Sequence, residues 1–367
     1  MVNKKNILYI GPYREFSGAG NSARKYIEAL HRDGHDICIS PIFYTGEIYP
    51  ENDISSDILP LESNYLSSYD IIVQHCHPFD FSYDHNFSKN IGIFQFNSCQ
   101  LSPSLGSRLN LMDEIIVNSE FNEHVIKKSR LDINKKIKIV PELIDTNIIY
   151  QKYNEYEWID KKSCVFYTIG DMTNRKNIEK IILAFLYSFN QRDSVELVIK
   201  TKPHFSHRDA NIVYKEVEYI LSKCYRILRK NKEELKQPKI MVGSFKEHHL
   251  NSIHYNCNCY IDASKAENFG YSVLEAATFG NYIITNKNSS TSGISNKTIS
   301  TQSQKINIID PDTPSFVYNR LEDYWYDIDI IELSNNMKKV ALKYKCDQEI
   351  SHEISQYDYS NIEKLLI

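Results

Sequence analysis

No stretch of apolar residues long enough to cross a bilayer occurs in this chain of 367 residues. The opening Met-Val-Asn-Lys-Lys-Asn leads straight into a strand-like run rather than into the apolar core of a signal peptide, so the expected location is cytoplasmic. The C-x-x-C spacing is missing as well. The eight cysteines stand singly, mostly inside apolar runs, and read as reduced, buried small hydrophobes rather than as a disulfide framework. Glycine and proline are sparse, at 12 and 11 residues, which excludes collagen-like and low-complexity chains. Charge of one sign is missing too: 43 basic against 47 acidic residues give a net charge of −4, with no global field to draw the protein onto nucleic acid or an anionic membrane.

What is present is 42% hydrophobic residues spread over a length too great for one ordinary core, which predicts a globular chain of two domains. Apolar runs alternate with amphipathic segments throughout. Asn6-Ile-Leu-Tyr-Ile10 is a strand, and residues 22–33 form a helix with Ala23, Tyr26, Ile27 and Leu30 on one face. The loop between them holds Gly18-Ala-Gly20-Asn-Ser-Ala23, a G-x-G-x-x-A string that falls too late after the strand for a dinucleotide turn. Further strands run through residues 70–75, 91–97 and 113–117. Open parallel sheets bind ligands at the carboxyl ends of their strands, so His77, Gln95 and Asn97 are candidates to line a cleft. His75-Cys76-His77 invites a metal reading, but alternate strand residues point to opposite faces and no second ligand pair with zinc spacing accompanies it.

The first domain is expected to span residues 1–150, with 151–161 as a polar, tyrosine-rich linker. A second strand–helix alternation fills 162–313, including a long charged helix from about Ala210. Residues 314–367 are expected to be helices, in two segments near 314–327 and 330–346, with Asp327-Ile-Asp329 on a solvated helix face. Arg175 and Lys176 fall in a strand-to-helix loop, where fixed charge and free helix N–H groups together bind phosphate. Lys200 and Lys202 follow the next strand.

The most informative stretch runs from Asp262 to Gly280. A strand ends at Cys259-Tyr-Ile261, and after Gly270 the residues Val273, Leu274 and Ala277 fall at helical spacing. Glu267 therefore sits in a strand-to-helix turn and Glu275 one turn into the helix. Such a turn aims backbone N–H groups and the positive end of a helix dipole at whatever lies before it. Glu267-x-Phe269-Gly270-x4-Glu275, with Ala276, Gly280 and the strand Tyr282-Ile-Ile-Thr285 behind it, resembles the E-x7-E segment of retaining nucleotide-sugar glycosyltransferases of the family-four type.

That resemblance implies an α/β protein with the GT-B fold, in which two Rossmann-like domains with parallel sheets face each other across a cleft and the last helix crosses back to the first domain. It also implies transfer of a hexosyl or pentosyl group from a nucleoside-diphosphate sugar to an acceptor hydroxyl, with retention of configuration and no metal or other cofactor. Glu267, Lys176 and Arg175 would be catalytic. Glu275 would hold the ribose, with Phe269, Gly270, Tyr271, Ser272, Lys200, Lys202, Gly18 and Gly20 around the donor and His77, Gln95 and Asn97 toward sugar and acceptor. The chain departs from the family pattern at Asp171, at Gln95-Phe-Asn97 and at Pro141-Glu-Leu143. The alternative reading is a catalytically inactive nucleotide- or sugar-binding protein on the same scaffold. The expected acceptor is a polar hydroxyl compound, whether a glycan, a small molecule or a modified nucleic acid, with no stable membrane insertion.

Overall fold

The computed structural model describes residues 4–44, 48, 54–129, 131–202, 209–309, 323–343 and 352–358. Within these the chain builds two six-stranded sheets. The first consists of β1 (Asn6–Gly11), β2 (Asp36–Pro41), β3 (Ile71–His75), β4 (Lys89–Ile93), β5 (Glu114–Val117) and β6 (Lys136–Ile139), in the order 2-1-3-4-5-6. Every pairing in it is parallel. Helices α1 (Gly18–Arg32), α2 (Pro103–Leu109) and α3 (Glu120–Lys128) accompany it.

The second sheet holds β7 (Cys164–Ile169), β8 (Val195–Thr201), β9 (Lys239–Val242), β10 (Cys259–Asp262), β11 (Tyr282–Asn286) and β12 (Thr298–Thr301), in the order 12-11-10-7-8-9 and again parallel. Its helices are α4 (Ile178–Ser188), α5 (Ala210–Leu228), α6 (Glu247–Asn256) and α7 (Tyr271–Thr278). Strands β3, β7, β8 and β10 are buried at every residue, as strands covered by helices on both faces must be. That is why their sequences are mostly apolar, the exceptions being Glu196 within β8 and the polar residues toward the carboxyl ends, such as Gln74, Thr168, Lys200 and Asp262. On α5 the inward residues Val213, Val217, Ile220 and Cys224 recur at helical spacing.

Two boundaries differ from the sequence reading. Helix α1 begins at Gly18 rather than at Ser22, because the Ser17 hydroxyl accepts a hydrogen bond from the Gly20 N–H at 3.0 Å and caps the helix early. Gly18 and Gly20 are thus first-turn residues, not loop residues. Gly20 is required there: a Cβ would lie 2.3 Å from the carbonyl oxygen of Glu15.

The tail differs more. Residues 324–328 form a strand, β14 (Tyr324–Ile328), antiparallel to β13 (Ser303–Asn307), where a helix was expected. The run Tyr-Trp-Tyr is strand-forming, and it buries Trp325 completely. Asp327 stands on this strand, not on a solvated helix face, and pairs with Lys180 at 2.7 Å. The segment before it, up to residue 322, lies outside the described residues. Helix α8 (Ile330–Lys343) buries Leu333, Met337 and Val340 in the core of the second sheet. Residues 352–357 form a short helical turn whose end meets the close of the first domain: the Ile144 N–H donates to the Tyr357 carbonyl at 3.0 Å and the Thr146 hydroxyl to Asp358 at 2.6 Å.

Several contacts join the two sheets' halves. Lys25 on α1 meets Glu247 on α6 at 3.2 Å. The Asn268 side chain donates to Asn118 at 3.2 Å, and the Trp325 indole N–H donates to the carbonyl oxygen of Asn97 at 3.1 Å. Among the described residues no helix is long and apolar enough to cross a membrane.

Candidate active site

In each sheet the strand order reverses once, between β1 and β3 in the first and between β10 and β7 in the second. Crevices open at the carboxyl ends of strands beside such switch points, and the two crevices here merge into one cleft of about 380 Å³. From the first half it is lined by Phe16, Ser17, Gly18, Ala19 and Asn21 at the start of α1 and by Gln95 and Asn97 after β4. From the second it is lined by Gly170, Asp171, Arg175 and Lys176 after β7, Lys200 and Lys202 at and just past the end of β8, and Asp262, Glu267, Gly270 to Val273 and Glu275 around β10 and α7.

The loop from Gly170 to Lys176 is aimed by Asn177, which adopts the left-handed conformation at φ 57°. Its side-chain amide pays for that geometry by donating to the Ala263 carbonyl at 3.2 Å and to Asp327 at 3.0 Å. Arg175 and Lys176 thereby converge on one carboxylate. Lys176 Nζ lies 2.5 Å and Arg175 Nη1 3.1 Å from Glu267 Oε2. Burial raises the pKa of Glu267, but the charges of Lys176 and Arg175 and their hydrogen bonds outweigh it and bring the carboxyl down to about 2. Glu267 is ionised at neutral pH.

Gly270 stands between this carboxylate and α7 with φ +80°, a conformation that a side chain disfavours, and a Cβ would meet Thr291 Cγ2 at 2.4 Å. The turn brings the first N–H groups of α7, at Tyr271 and Ser272, into the cleft. Those of α1 face it from across the gap. Two helix N-termini facing each other across the cleft and four basic side chains on its second wall suit an anion with spread negative charge. Lys202 Nζ also reaches across to donate to the Phe16 carbonyl at 2.8 Å.

Glu275 is 2% exposed, so its carboxylate is reached only from inside the cleft. Gln95 Nε2 donates to Glu142 Oε1 at 2.6 Å. Glu142, in the Pro141-Glu-Leu143 stretch, is fully enclosed, and burial pushes its pKa up to about 7 against the opposing effects of Ser22 and Gln95.

Three predicted residues stand apart from this cleft. His77 caps a short helical turn through Nδ1 and stacks on Phe79 at 5.2 Å between ring centroids. Burial lowers its pKa. The Phe269 ring packs edge-on against Tyr357 at 5.7 Å and lines a neighbouring cavity of about 710 Å³. Gly20 lies beneath the α1 turn rather than at the surface. His75 is also separate, buried with Nδ1 2.7 Å from the Tyr9 hydroxyl. Among the described residues no group of three or more His, Cys, Asp or Glu side chains could hold a metal ion.

No protein-family model and no curated protein sequence matches the chain. Solved structures do match it. The α,α-trehalose 6-phosphate synthase of Burkholderia multivorans aligns with a TM-score of 0.62 at 9% identity, over 99% of this chain and 97% of that one. The sucrose-phosphate synthase of Thermosynechococcus elongatus gives 0.59 at 12% identity, over 99% and 95%. The E. coli trehalose-6-phosphate structure bound with UDP-2-fluoro glucose gives 0.57 at 11% identity, over 98% and 99%. The chain has the GT-B fold. At these identities the likeness is one of fold.

On this GT-B scaffold the sequence reading gathered most of the cleft but missed part of it. Asn21, Ser244, Phe245, Tyr260 and Asp262 also line it. Ser244 and Phe245 follow β9 and Asp262 closes β10, so the carboxyl-end rule that singled out Gln95 and Asn97 applies to them equally. His254, on α6, contacts Glu275 from behind at 3.3 Å. No spacing in the sequence connects the two.

Proposed function

We propose that the cleft binds a nucleoside-diphosphate sugar and transfers its hexosyl or pentosyl group to an acceptor hydroxyl with retention of configuration. The observation that carries this is the convergence of Arg175, Lys176, Lys200 and Lys202, two helix N-termini, the half-buried carboxylate Glu267 and the buried carboxylate Glu275 on one cleft between two Rossmann-like halves. The match to proteins named as sugar-phosphate synthases, one of them bound with UDP-2-fluoro glucose, supports a nucleotide-sugar donor.

The diphosphate sits before Tyr271 and Ser272 and against Lys176 and Arg175. As the glycosidic bond breaks, charge grows on the leaving phosphate oxygen, so these cations and N–H groups bind the transition state more strongly than the ground state. Glu267 keeps the two cations preorganised and, being ionised, accepts hydrogen bonds from sugar hydroxyls. With a pKa of about 2 it has no proton to give as a general acid at neutral pH. Glu275 accepts from the ribose hydroxyls. The acceptor enters from the side of Gln95 and Asn97. Its oxygen bonds to the anomeric carbon on the face the diphosphate leaves, and its proton passes to the departing phosphate oxygen, which is the nearest growing base on that face.

The polar acceptor expected from the sequence fits a cleft lined there by Gln95 and Asn97. The basic residues at the end of α3 have partners: Lys127 pairs with Glu123 at 2.7 Å and Lys128 with the Tyr324 hydroxyl at 2.5 Å. Incubation with a panel of UDP-, GDP- and ADP-sugars tests the reading. Slow release of nucleoside diphosphate from one donor is expected. Tight nucleotide binding with no release from any donor would favour a binding protein on the same scaffold.

A further inference from the structure

Behind Glu275 runs a buried chain of polar groups that the reaction above does not use. Glu275 Oε2 lies 3.3 Å from His254 Nε2. His254 Nδ1 lies 2.7 Å from the Tyr167 hydroxyl, and that hydroxyl lies 2.8 Å from Asn281 Nδ2. All four side chains are buried, with His254 and Tyr167 at 0% exposure.

The direction of each proton follows in turn. Asn281 Nδ2 also lies 2.8 Å from the carbonyl oxygen of His254, which can only accept. That end of the amide is therefore the NH2 group. The Tyr167 oxygen accepts from it and has one proton of its own, directed at His254 Nδ1. Nδ1 is then an acceptor, the imidazole proton resides on Nε2, and Nε2–H donates to Glu275 Oε2. The ring plane is held as well: His254 stacks on Phe279 at 5.8 Å with 12° between planes, and meets Tyr167 edge-on at 5.4 Å. A ring fixed in tautomer and plane presents its N–H along one line only.

We propose that His254, held as the Nε2–H tautomer by Tyr167 and Asn281, is the positioning residue that aims the Glu275 carboxylate at the ribose of the nucleotide. This rests on the reading of Glu275 as the ribose-binding group. His254 occupies Oε2 from the protein side and leaves Oε1 to the ligand. Without it, a long side chain with one partner gone would have to be ordered by the ligand itself, and that ordering would be drawn from the binding free energy. His254 touches neither sugar nor phosphate in this arrangement, so its effect must vanish when the ribose hydroxyls are absent.

The test is calorimetric titration with UDP, GDP or ADP, whichever the wild-type protein binds tightest, and with the 2′,3′-dideoxy counterpart of that nucleotide. His254→Phe keeps the stack on Phe279 and removes the N–H, and is expected to weaken the ribonucleotide about tenfold while leaving the dideoxy nucleotide unchanged. His254→Gln, whose side-chain N–H reaches a similar point, is expected to recover most of the loss. Should His254→Phe fail to fold, Tyr167→Phe removes only the hydroxyl that sets the tautomer, and a smaller loss confined to the ribonucleotide is expected. Equal weakening of both nucleotides, or of neither, overturns the proposal. Glu275→Gln is measured alongside: if it weakens ribonucleotide binding while His254→Phe does not, the role of His254 falls and the ribose reading stands. If Glu275→Gln affects neither nucleotide, the ribose reading falls and takes this proposal with it.

Discussion

Replacing Glu142 by Gln should make the protein more stable at pH 8 and leave it almost unchanged at pH 4.5. Glu142 is 1% exposed, and its carboxyl titrates near 7 rather than near the ordinary 4.5 because burial penalises the charged form. Between those two values the folded protein keeps a proton that the unfolded chain has released, so stability from this group falls as pH rises through the window. At about 1.4 kcal/mol per pH unit, holding the charge above pH 7 costs about 3 kcal/mol. Gln pays no such cost, and its carbonyl can still accept the hydrogen bond that Gln95 Nε2 makes to Glu142 Oε1 at 2.6 Å. Urea denaturation of both proteins at intervals from pH 4.5 to 8 should therefore show a difference that opens from near zero to about 2–3 kcal/mol in favour of the variant. A difference independent of pH, or a variant less stable than the wild type at pH 8, would rule out a carboxyl held neutral by burial. It would mean that Glu142 is ionised and well solvated in the fold.

Other consequences are open to measurement. Gly270→Ala forces a side chain onto φ +80° with its Cβ 2.4 Å from Thr291, and should cost about 1–3 kcal/mol in denaturation and lower nucleotide affinity by moving the start of α7; an unchanged melting curve would contradict the strain argument. Glu247→Ala removes the partner that Lys25 meets at 3.2 Å across the two halves, and the solution radius of gyration measured by X-ray scattering should rise as the halves separate. No change there would show that the other bridging contacts suffice.

The two-sheet architecture was legible because parallel strands buried on both faces are predominantly apolar, as Cys164-Val-Phe-Tyr-Thr-Ile169 is. Most of the cleft was legible for a related reason: in open parallel sheets the ligand lies at carboxyl ends, where Lys200 stands near the end of β8 and Arg175, Lys176, Lys202 and Glu267 follow strands. His77 also follows a strand, yet the chain turns into a short helix at Pro78 and carries it away. The start of α1 was misplaced because a serine cap competes with the helix-breaking tendency of two glycines, and the cap prevailed. The strand Tyr324–Ile328 depends on a partner, Ser303–Asn307, that has no apolar alternation of its own. His254 was invisible for a different reason. Its partners Tyr167, Glu275 and Asn281 come from separate elements, and only the tertiary fold brings them together.

If the cleft stabilises a leaving diphosphate, Lys176→Ala should expose it in the kinetics. With the donor that the nucleotide-sugar panel identifies, kcat and KM for nucleoside diphosphate release are measured for the wild type and the variant. Lys176 Nζ and Glu267 are an ion pair at 2.5 Å before the bond breaks, so the lysine's charge acts mainly as the phosphate oxygen becomes more negative. A fall in kcat of about 100-fold is expected, of the size seen when one transition-state donor is removed, with a much smaller rise in KM. An unchanged kcat with KM raised by the whole amount would contradict it, because Lys176 would then bind donor and transition state alike.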